Sequence, residues 1–108
     1  MTTALANNFI SLVGSYEIHP HDVAAFAQIA TGSVQRTRET SGCLYYIASQ
    51  DLTKPTVFHL AEGWVSQTHL DSHLASTPFK EMLAQASKLK ILKREIYVSQ
   101  SNGRTLMA

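Results

Sequence analysis

Two histidines, His69 and His73, stand four residues apart in the second half of the chain. On a helix, this spacing places both imidazoles on the same face. An imidazole has an unperturbed pKa of about 6.5, so it can accept a proton from a phenol or a hydroquinone at neutral pH. His73 also follows Leu70, an apolar residue that we expect to point inward, by three positions. We therefore take His73 as the candidate catalytic residue, and the alternative is a partly buried imidazole that packs the helix against a sheet.

The same histidine pair resembles half of a metal site. No HExxH pattern, no cysteine cluster and no evident third ligand accompanies it in the sequence. The sequence also lacks GxGxxG, Walker, GxSxG and CxxC patterns, so nucleotide-dependent, serine-hydrolase and thiol-redox chemistry have no support. We expect no metal and no tightly held organic cofactor.

Glu62 and Trp64 precede the histidines and lie two positions apart on one predicted strand, so they share a face of it. Trp64 is expected to pack at the strand end, and its indole N–H can also donate a hydrogen bond to a ligand oxygen. A carboxylate in an apolar strand is costly to bury unless it has an ion-pair or hydrogen-bond partner, or it has a functional role that requires it there. For Glu62 that means either an ion pair with Lys93 or Arg94, or a substrate-facing base. We predict both Trp64 and Glu62 as substrate-binding residues.

Aromatic residues on two neighbouring predicted strands are further candidates. Tyr46 and Phe58 are predicted to contact a substrate, and Tyr45 and His59 are candidates to line the same aromatic pocket. Aromatic side chains in strands are also ordinary core material, and that reading stays open. Cys43 is expected to fill space in the core, because no basic residue adjoins it to activate the thiol.

The elements that hold these residues follow from hydrophobic periodicity and from helix start and stop signals. Ser66 is a predicted N-cap, and Pro78 suits the first turn of a helix, where its missing N–H costs little. The resulting order is βαββαβ, an α+β arrangement of a four-stranded antiparallel sheet with two helices on one face. We predict strands at 9–18, 43–49, 57–65 and 91–99, and helices at 20–39, at 67–75 and from Thr77 onward.

Both faces of the predicted sheet are apolar. In the second strand, one face is predicted to carry Leu44, Tyr46 and Ala48, and the other Cys43, Tyr45 and Ile47. A lone α+β domain is expected to be polar on its open face. Four strands of some six residues make a face of roughly 400 Å², which is large for an exposed apolar patch. We therefore predict a homodimer that packs sheet against sheet.

Composition limits the remaining possibilities. The 108 residues are 44% hydrophobic, which predicts one domain over 1–108, with a core at about 9–99 and a C-terminal tail at 100–108. A net charge of +1 without a run of like charges predicts neither a nucleic-acid partner nor a membrane surface. Cys43 is the only cysteine, and no leader-like or 18-residue apolar segment occurs. We expect a cytoplasmic protein.

Three short motifs follow one another along the chain: Gly42-Cys43-Leu44-x-Tyr46, Glu62-Gly63-Trp64 and His73-Leu74-x-Ser76-x-Pro78-Phe79. With these motifs and this element order, the chain resembles the antibiotic biosynthesis monooxygenase family from Phe9 to about Val98. The resemblance implies a ferredoxin-like fold that pairs into a dimeric α+β barrel, with a pocket between helices and sheet. His73 matches a histidine common in the family, and Trp64 matches its frequent strand-end tryptophan.

Family membership does not fix the reaction. The haem-degrading members use an asparagine, a tryptophan and a histidine that fall near Gly14, His73 and Leu83, and none of the three agrees. The resemblance instead implies a cofactor-independent monooxygenase acting on small aromatic, polyketide-like or quinol compounds. Two alternatives stay open: a non-oxidative isomerase that uses the same pocket, and a module that binds an apolar ligand without changing it.

Overall fold

A four-stranded antiparallel sheet with three helices on one face forms the protein, as the computed structural model of residues 4–5 and 8–108 shows. The strands are ordered β2-β3-β1-β4 in the sheet. This confirms the predicted α+β, ferredoxin-like βαββαβ fold, with the second helix divided in two. The bounds are β1 Phe9–Ile18, α1 Val23–Arg38, β2 Cys43–Gln50, β3 Val57–Trp64, α2 Gln67–Leu74, α3 Thr77–Ala86 and β4 Ile91–Ser101.

Most element ends lie within one residue of the predicted ones, and two differ by more. The predicted helix at 20–39 begins with a 3-10 turn, Pro20–Asp22, because Asp22 has a non-helical backbone (φ −108°, ψ 1°) that separates the turn from α1. The last strand extends two residues beyond 99, to Ser101. Arg104–Thr105 then pairs with Ala4–Leu5 in a short second sheet, so part of the predicted tail is ordered against the N-terminal segment.

A β-bulge at the start of β2 changes which residues share a face. Cys43 pairs with Trp64 and Tyr45 with Gly63, so Leu44 is an extra residue without a partner on β3. Cys43 therefore packs against the core cluster that contains Tyr46. The prediction that Cys43 faces the same way as Tyr45 and Ile47 was wrong.

The core lies between the helices and the sheet in two clusters. One cluster surrounds Trp64, which is fully buried, and the other surrounds Ile18, also fully buried. Alternation along the strands places these residues on one face, as their period of two requires. Burial of this apolar surface is the main force that holds the helices on the sheet. The first cluster comprises Ile10, Leu12, Tyr46, Leu60, Trp64 and Leu70, and the second Ile18, Phe26 and Phe58.

The opposite face carries an apolar row that crosses all four strands. Ile47 pairs with Ala61, Ala61 with Val13, and Val13 with Tyr97. The three large side chains are exposed, with Val13 at 59%, Ile47 at 47% and Tyr97 at 66%. This row is apolar, as the sequence predicts, and in the single chain it is exposed. The prediction that the whole face is apolar was wrong, because the neighbouring positions on it include Ser11, Ser15, Ser49, His59 and Glu95. Among the described residues, no helix is long and apolar enough to cross a membrane.

Candidate functional site

His73 lies inside an aromatic cluster at the end of α2. Its side chain is buried, with the residue 5% exposed. The imidazole stacks on the Trp64 indole, with ring centroids 4.7 Å apart and 26° between the planes. Phe79 meets the imidazole edge-on at 4.9 Å, and Tyr46 does so at 6.1 Å. These contacts hold the ring in one position, as packed aromatic neighbours do.

The chemistry of His73 follows from its burial. Among the described residues, no group forms a hydrogen bond with its buried Nε2 atom. Burial lowers the pKa of His73, because the charged imidazolium loses its solvation. The imidazole is therefore neutral at neutral pH, and Nε2 is available either to accept a proton or, in the other tautomer, to donate a hydrogen bond.

Two serine caps place His73 in this position. Ser66 begins α2, as predicted, by accepting a hydrogen bond from the backbone N–H of His69 at 3.2 Å. Ser76 begins α3 by accepting one from the Phe79 backbone N–H at 3.3 Å, and its hydroxyl donates to the carbonyl of His73 at 2.7 Å. The chain is thus capped twice within eleven positions. The resulting break between α2 and α3 brings His73 and Phe79 together.

Glu62 and Trp64 form a buried pair beneath His73. The Trp64 Nε1–H donates to Glu62 Oε1 at 3.0 Å, and both side chains are buried. Burial raises the pKa of Glu62, and the hydrogen bond from Trp64 partly opposes that rise. The predicted ion pair of Glu62 with Lys93 or Arg94 does not form. Lys93 instead pairs with Glu95 at 3.4 Å, and the Glu62 carboxylate accepts its hydrogen bond from the Trp64 indole.

An apolar cavity of about 320 Å³ lies between the sheet and helices α1 and α3. Tyr46 and Phe58, two of the predicted substrate-binding residues, line it, and Tyr16 and Arg94 face each other across β1 and β4 at one side. Burial raises the pKa of Tyr46, and the Glu62 carboxylate adds to the rise. Burial also raises the pKa of Tyr16, although the Arg94 guanidinium partly opposes this. Both phenols therefore stay protonated and can donate hydrogen bonds to a bound ligand.

A second cavity, also about 320 Å³, lies between α1 and the α2–α3 break, and we call it the polar cavity. His69 and His73 line it from α2, and Ser33, Arg36 and Thr37 line it from α1. Ser33 lines both cavities. The two cavities are therefore neighbours that meet near Ser33.

The predicted site residues divide between these places. Tyr46 and Phe58 line the apolar cavity and His73 the polar one, whereas Trp64 and Glu62 line neither and lie in the packed layer beside His73. His73, Trp64, Glu62 and Tyr46 nevertheless form one connected cluster, since Tyr46 pairs with Glu62 across β2 and β3.

Two other aromatic candidates have different partners. Tyr45 lies on the open side of the sheet, where its ring contacts Phe9 and the Arg104 guanidinium. His59 is a lining residue of the apolar cavity, but its Nε2 lies 2.7 Å from Asp51 Oδ2. Neither joins the cluster around His73.

Sequence reasoning missed Ser33, Arg36 and Thr37 as site residues, although a signal was present. Ser33 and Thr37 are spaced by four on the face of α1 that packs inward, where apolar residues are expected. Buried hydroxyls on an otherwise apolar helix face are the kind of exception that marks a site. Arg94 was considered only as a partner for Glu62, and the structure places it at the apolar cavity.

Among the described residues, no three or more side chains of histidine, cysteine, aspartate or glutamate are grouped so that they could hold a metal ion. In the histidine pair that resembles half of a metal site, His69 already has a local contact, because its Nδ1 lies 2.7 Å from the Ser66 hydroxyl. The two histidines therefore have separate environments, one against a helix cap and one in the aromatic cluster.

Comparison with known proteins gives a family and a fold. The family model described as antibiotic biosynthesis monooxygenase matches residues 9–85. A candidate antibiotic biosynthesis monooxygenase from Deinococcus radiodurans is similar in structure, with a TM-score of 0.78 and 24% identity over 83% of this chain and 89% of that one. A conserved protein from Methanosarcina mazei Go1 has a TM-score of 0.79 and 26% identity over 87% and 93% of the two chains. No curated protein matches the chain.

Proposed function

The chain belongs to the antibiotic biosynthesis monooxygenase family, and from this membership we propose that it oxygenates a small aromatic, polyketide-like or quinol compound without a cofactor. One observation carries the proposal: a buried neutral imidazole, His73, has an unpartnered Nε2 and contacts Tyr46, which lines an apolar cavity. A general base near an apolar, ligand-sized cavity is what deprotonation of an electron-rich ring requires.

The reaction balances without an external reductant. A hydroquinone loses a proton, its anion transfers electrons to dioxygen, and a peroxide forms on the ring. Cleavage of the O–O bond then leaves one oxygen on the ring and releases the other as water, so that the hydroquinone and one dioxygen give a hydroxyquinone and one water. The protein has only to remove the proton, exclude bulk water and hold the ring.

Each residue of the cluster has a role in this proposal. Phe58, which lines the apolar cavity, packs against the substrate ring. The Tyr46 hydroxyl hydrogen-bonds to the substrate hydroxyl, accepts the substrate proton and passes its own proton toward His73. This transfer is concerted, because burial makes a free Tyr46 phenolate costly. Trp64 and Glu62 act as positioning residues, since Trp64 stacks on His73 and is itself held by Glu62.

Oxygen consumption with hydroquinones and anthrones tests the proposal. We expect the parent protein to consume one dioxygen per quinone formed, and the His73→Leu and Tyr46→Phe variants to be at least about 100-fold slower, the lower end of what general acid–base catalysis contributes. His21→Gln, at an exposed histidine, is the matched control and should keep the parent rate. Parent-level turnover in His73→Leu would remove His73 from the mechanism. Product formed without dioxygen would favour an isomerase, and ligand bound but recovered unchanged would favour a binding module.

The proposal includes a homodimer that packs through the open face of the sheet. The apolar row formed by Ile47, Ala61, Val13 and Tyr97 crosses the whole sheet, and a two-fold axis would place it against the same row of a second copy. Covering three large exposed side chains removes apolar surface from water. The free thiol of Cys43 supports a reducing, cytoplasmic setting for the reaction.

A further inference from the structure

Buried polar residues concentrate at the polar cavity. Among the described residues, four polar or charged side chains are buried, and three of them, Ser33, Thr37 and His73, line this one cavity. The fourth is Glu62, which Trp64 satisfies. A buried polar group is costly unless it has a hydrogen-bond partner. The concentration at one cavity therefore needs an explanation that packing alone does not supply.

The lining of the polar cavity is rich in hydrogen-bond donors and contains no carboxylate. Arg36 contributes a permanent positive charge, and it forms no ion pair with any of the described residues. Hydroxyl-bearing residues line the cavity from both α1 and the α2–α3 region. The hydroxyls of Thr40 and Ser76 already donate to the carbonyls of Arg36 and His73, at 3.4 and 2.7 Å. Among the other lining side chains, His73 has an unpartnered Nε2, Thr37 is buried and Arg36 carries the positive charge.

We propose that the polar cavity is a second binding site, which takes a small molecule through an anionic oxygen group such as a carboxylate or a phosphate. Arg36, at the exposed edge, pairs with the negative charge, as guanidinium groups do with planar and tetrahedral oxyanions. Thr37 and the Nε2–H tautomer of His73, both buried, donate hydrogen bonds to it from within. The cavity volume of about 320 Å³ suits a small ligand.

This site is separate from the apolar cavity and goes beyond the proposed oxygenation. The two share only Ser33 in their linings. An anion that holds His73 Nε2 as N–H opposes its action as a proton acceptor, so the two sites are expected to compete for one nitrogen. For that reason the binding experiment uses no substrate and no turnover, and the two proposals can fail separately.

Titration with inorganic phosphate and, separately, with acetate tests the site, with chloride at equal ionic strength as reference. The readout is the ¹⁵N resonance of His73 Nε2 and the backbone amide of Thr37. We expect saturable shifts at both positions in the parent and at least a tenfold weaker affinity in Arg36→Gln. Lys80→Gln removes the same charge from an exposed position of α3 and should bind as the parent does. Whichever anion saturates at the lower concentration identifies the ligand group.

Two outcomes would overturn the proposal. One is a shift that grows linearly with anion concentration and is the same in Arg36→Gln and Lys80→Gln, which indicates general screening of charge. The other is saturation that perturbs residues away from the polar cavity and leaves His73 Nε2 unchanged. Thr37→Val provides a second variant that keeps the side-chain shape, and it too should weaken binding if the buried hydroxyl donates to the anion.

Discussion

The clearest physical consequence of the buried imidazole is a loss of stability below neutral pH. Burial lowers the pKa of His73 in the folded protein, whereas in the unfolded chain the pKa stays near 6.5. Between those two values the unfolded chain binds the proton more readily than the folded one. The free energy of unfolding therefore falls as pH drops below about 6.5, and it is unaffected well above that value.

The size of the effect follows from linkage. At about pH 5.5, one unit below the unfolded pKa, a folded state that keeps His73 neutral loses at most about 1.4 kcal/mol relative to about pH 7.5. Replacement by leucine removes the titrating group at a site surrounded by Trp64, Phe79 and Tyr46. Leucine loses aromatic contacts worth about 0.5–1.5 kcal/mol but also removes an unsatisfied polar atom that costs about 1–3 kcal/mol. We therefore expect His73→Leu to be about as stable as the parent at pH 7.5.

Urea unfolding of both proteins at about pH 7.5 and about pH 5.5 measures this difference. We expect the parent to lose up to about 1.4 kcal/mol more than His73→Leu between the two conditions. His21→Gln, at an exposed position, is the matched control for the loss of one histidine outside the cluster. Equal losses in the parent and in His73→Leu would show that His73 is solvated or charged in the folded state, and the reasoning about its neutral imidazole would be refuted.

Two further predictions concern the buried carboxylate and the open face. Because burial raises the pKa of Glu62, the parent should lose stability as pH rises from about 4.5 through the folded-state pKa. Glu62→Gln, whose amide oxygen can still accept a hydrogen bond from the Trp64 N–H, should lack that loss. In urea unfolding at pH 7 it should be more stable than the parent by on the order of 1 kcal/mol, and a less stable variant would contradict this. Val13→Glu places a charge in the apolar row and should give a monomer by sedimentation velocity at micromolar concentration. Lys80→Glu, on α3, is the control and should sediment as the parent does. A parent protein that is already monomeric would refute the dimer proposal.

The periodic elements were predictable from the sequence because their signals are local. Ser66 and Pro78 sit at helix starts for reasons of backbone hydrogen bonding that involve only neighbouring residues. The Glu62–Trp64 contact is also local, since residues two apart on a strand share a face. The sequence offers Glu62 charged partners on another strand, whereas in the structure an indole N–H on the same strand satisfies the carboxylate.

Non-local features were not predictable from periodicity. The extra residue Leu44 in β2 depends on the pairing with β3 and on the backbone at Gly42, whose φ of +82° and close contact with the His69 ring exclude a side chain there. The polar cavity is a similar case. The hydroxyls of Ser33 and Thr37 are visible in the sequence, but whether they meet core or open space depends on where the α2–α3 break lies against α1.

The cluster around His73 is connected by direct contacts, and this has consequences for any mutational study of it. Glu62 holds Trp64, Trp64 stacks on His73, and His73 touches Tyr46, whose pKa the Glu62 carboxylate raises in turn. Residues coupled in this way do not contribute additively to stability or rate. Removing the Glu62 charge should ease ionisation of Tyr46 as well as stabilise the fold. A change in activity in Glu62→Gln is therefore not a measure of substrate contact by Glu62. A double variant with Tyr46→Phe separates the two effects. If Glu62 acts on the reaction through Tyr46, Glu62→Gln should have no further effect on turnover once the Tyr46 hydroxyl is absent.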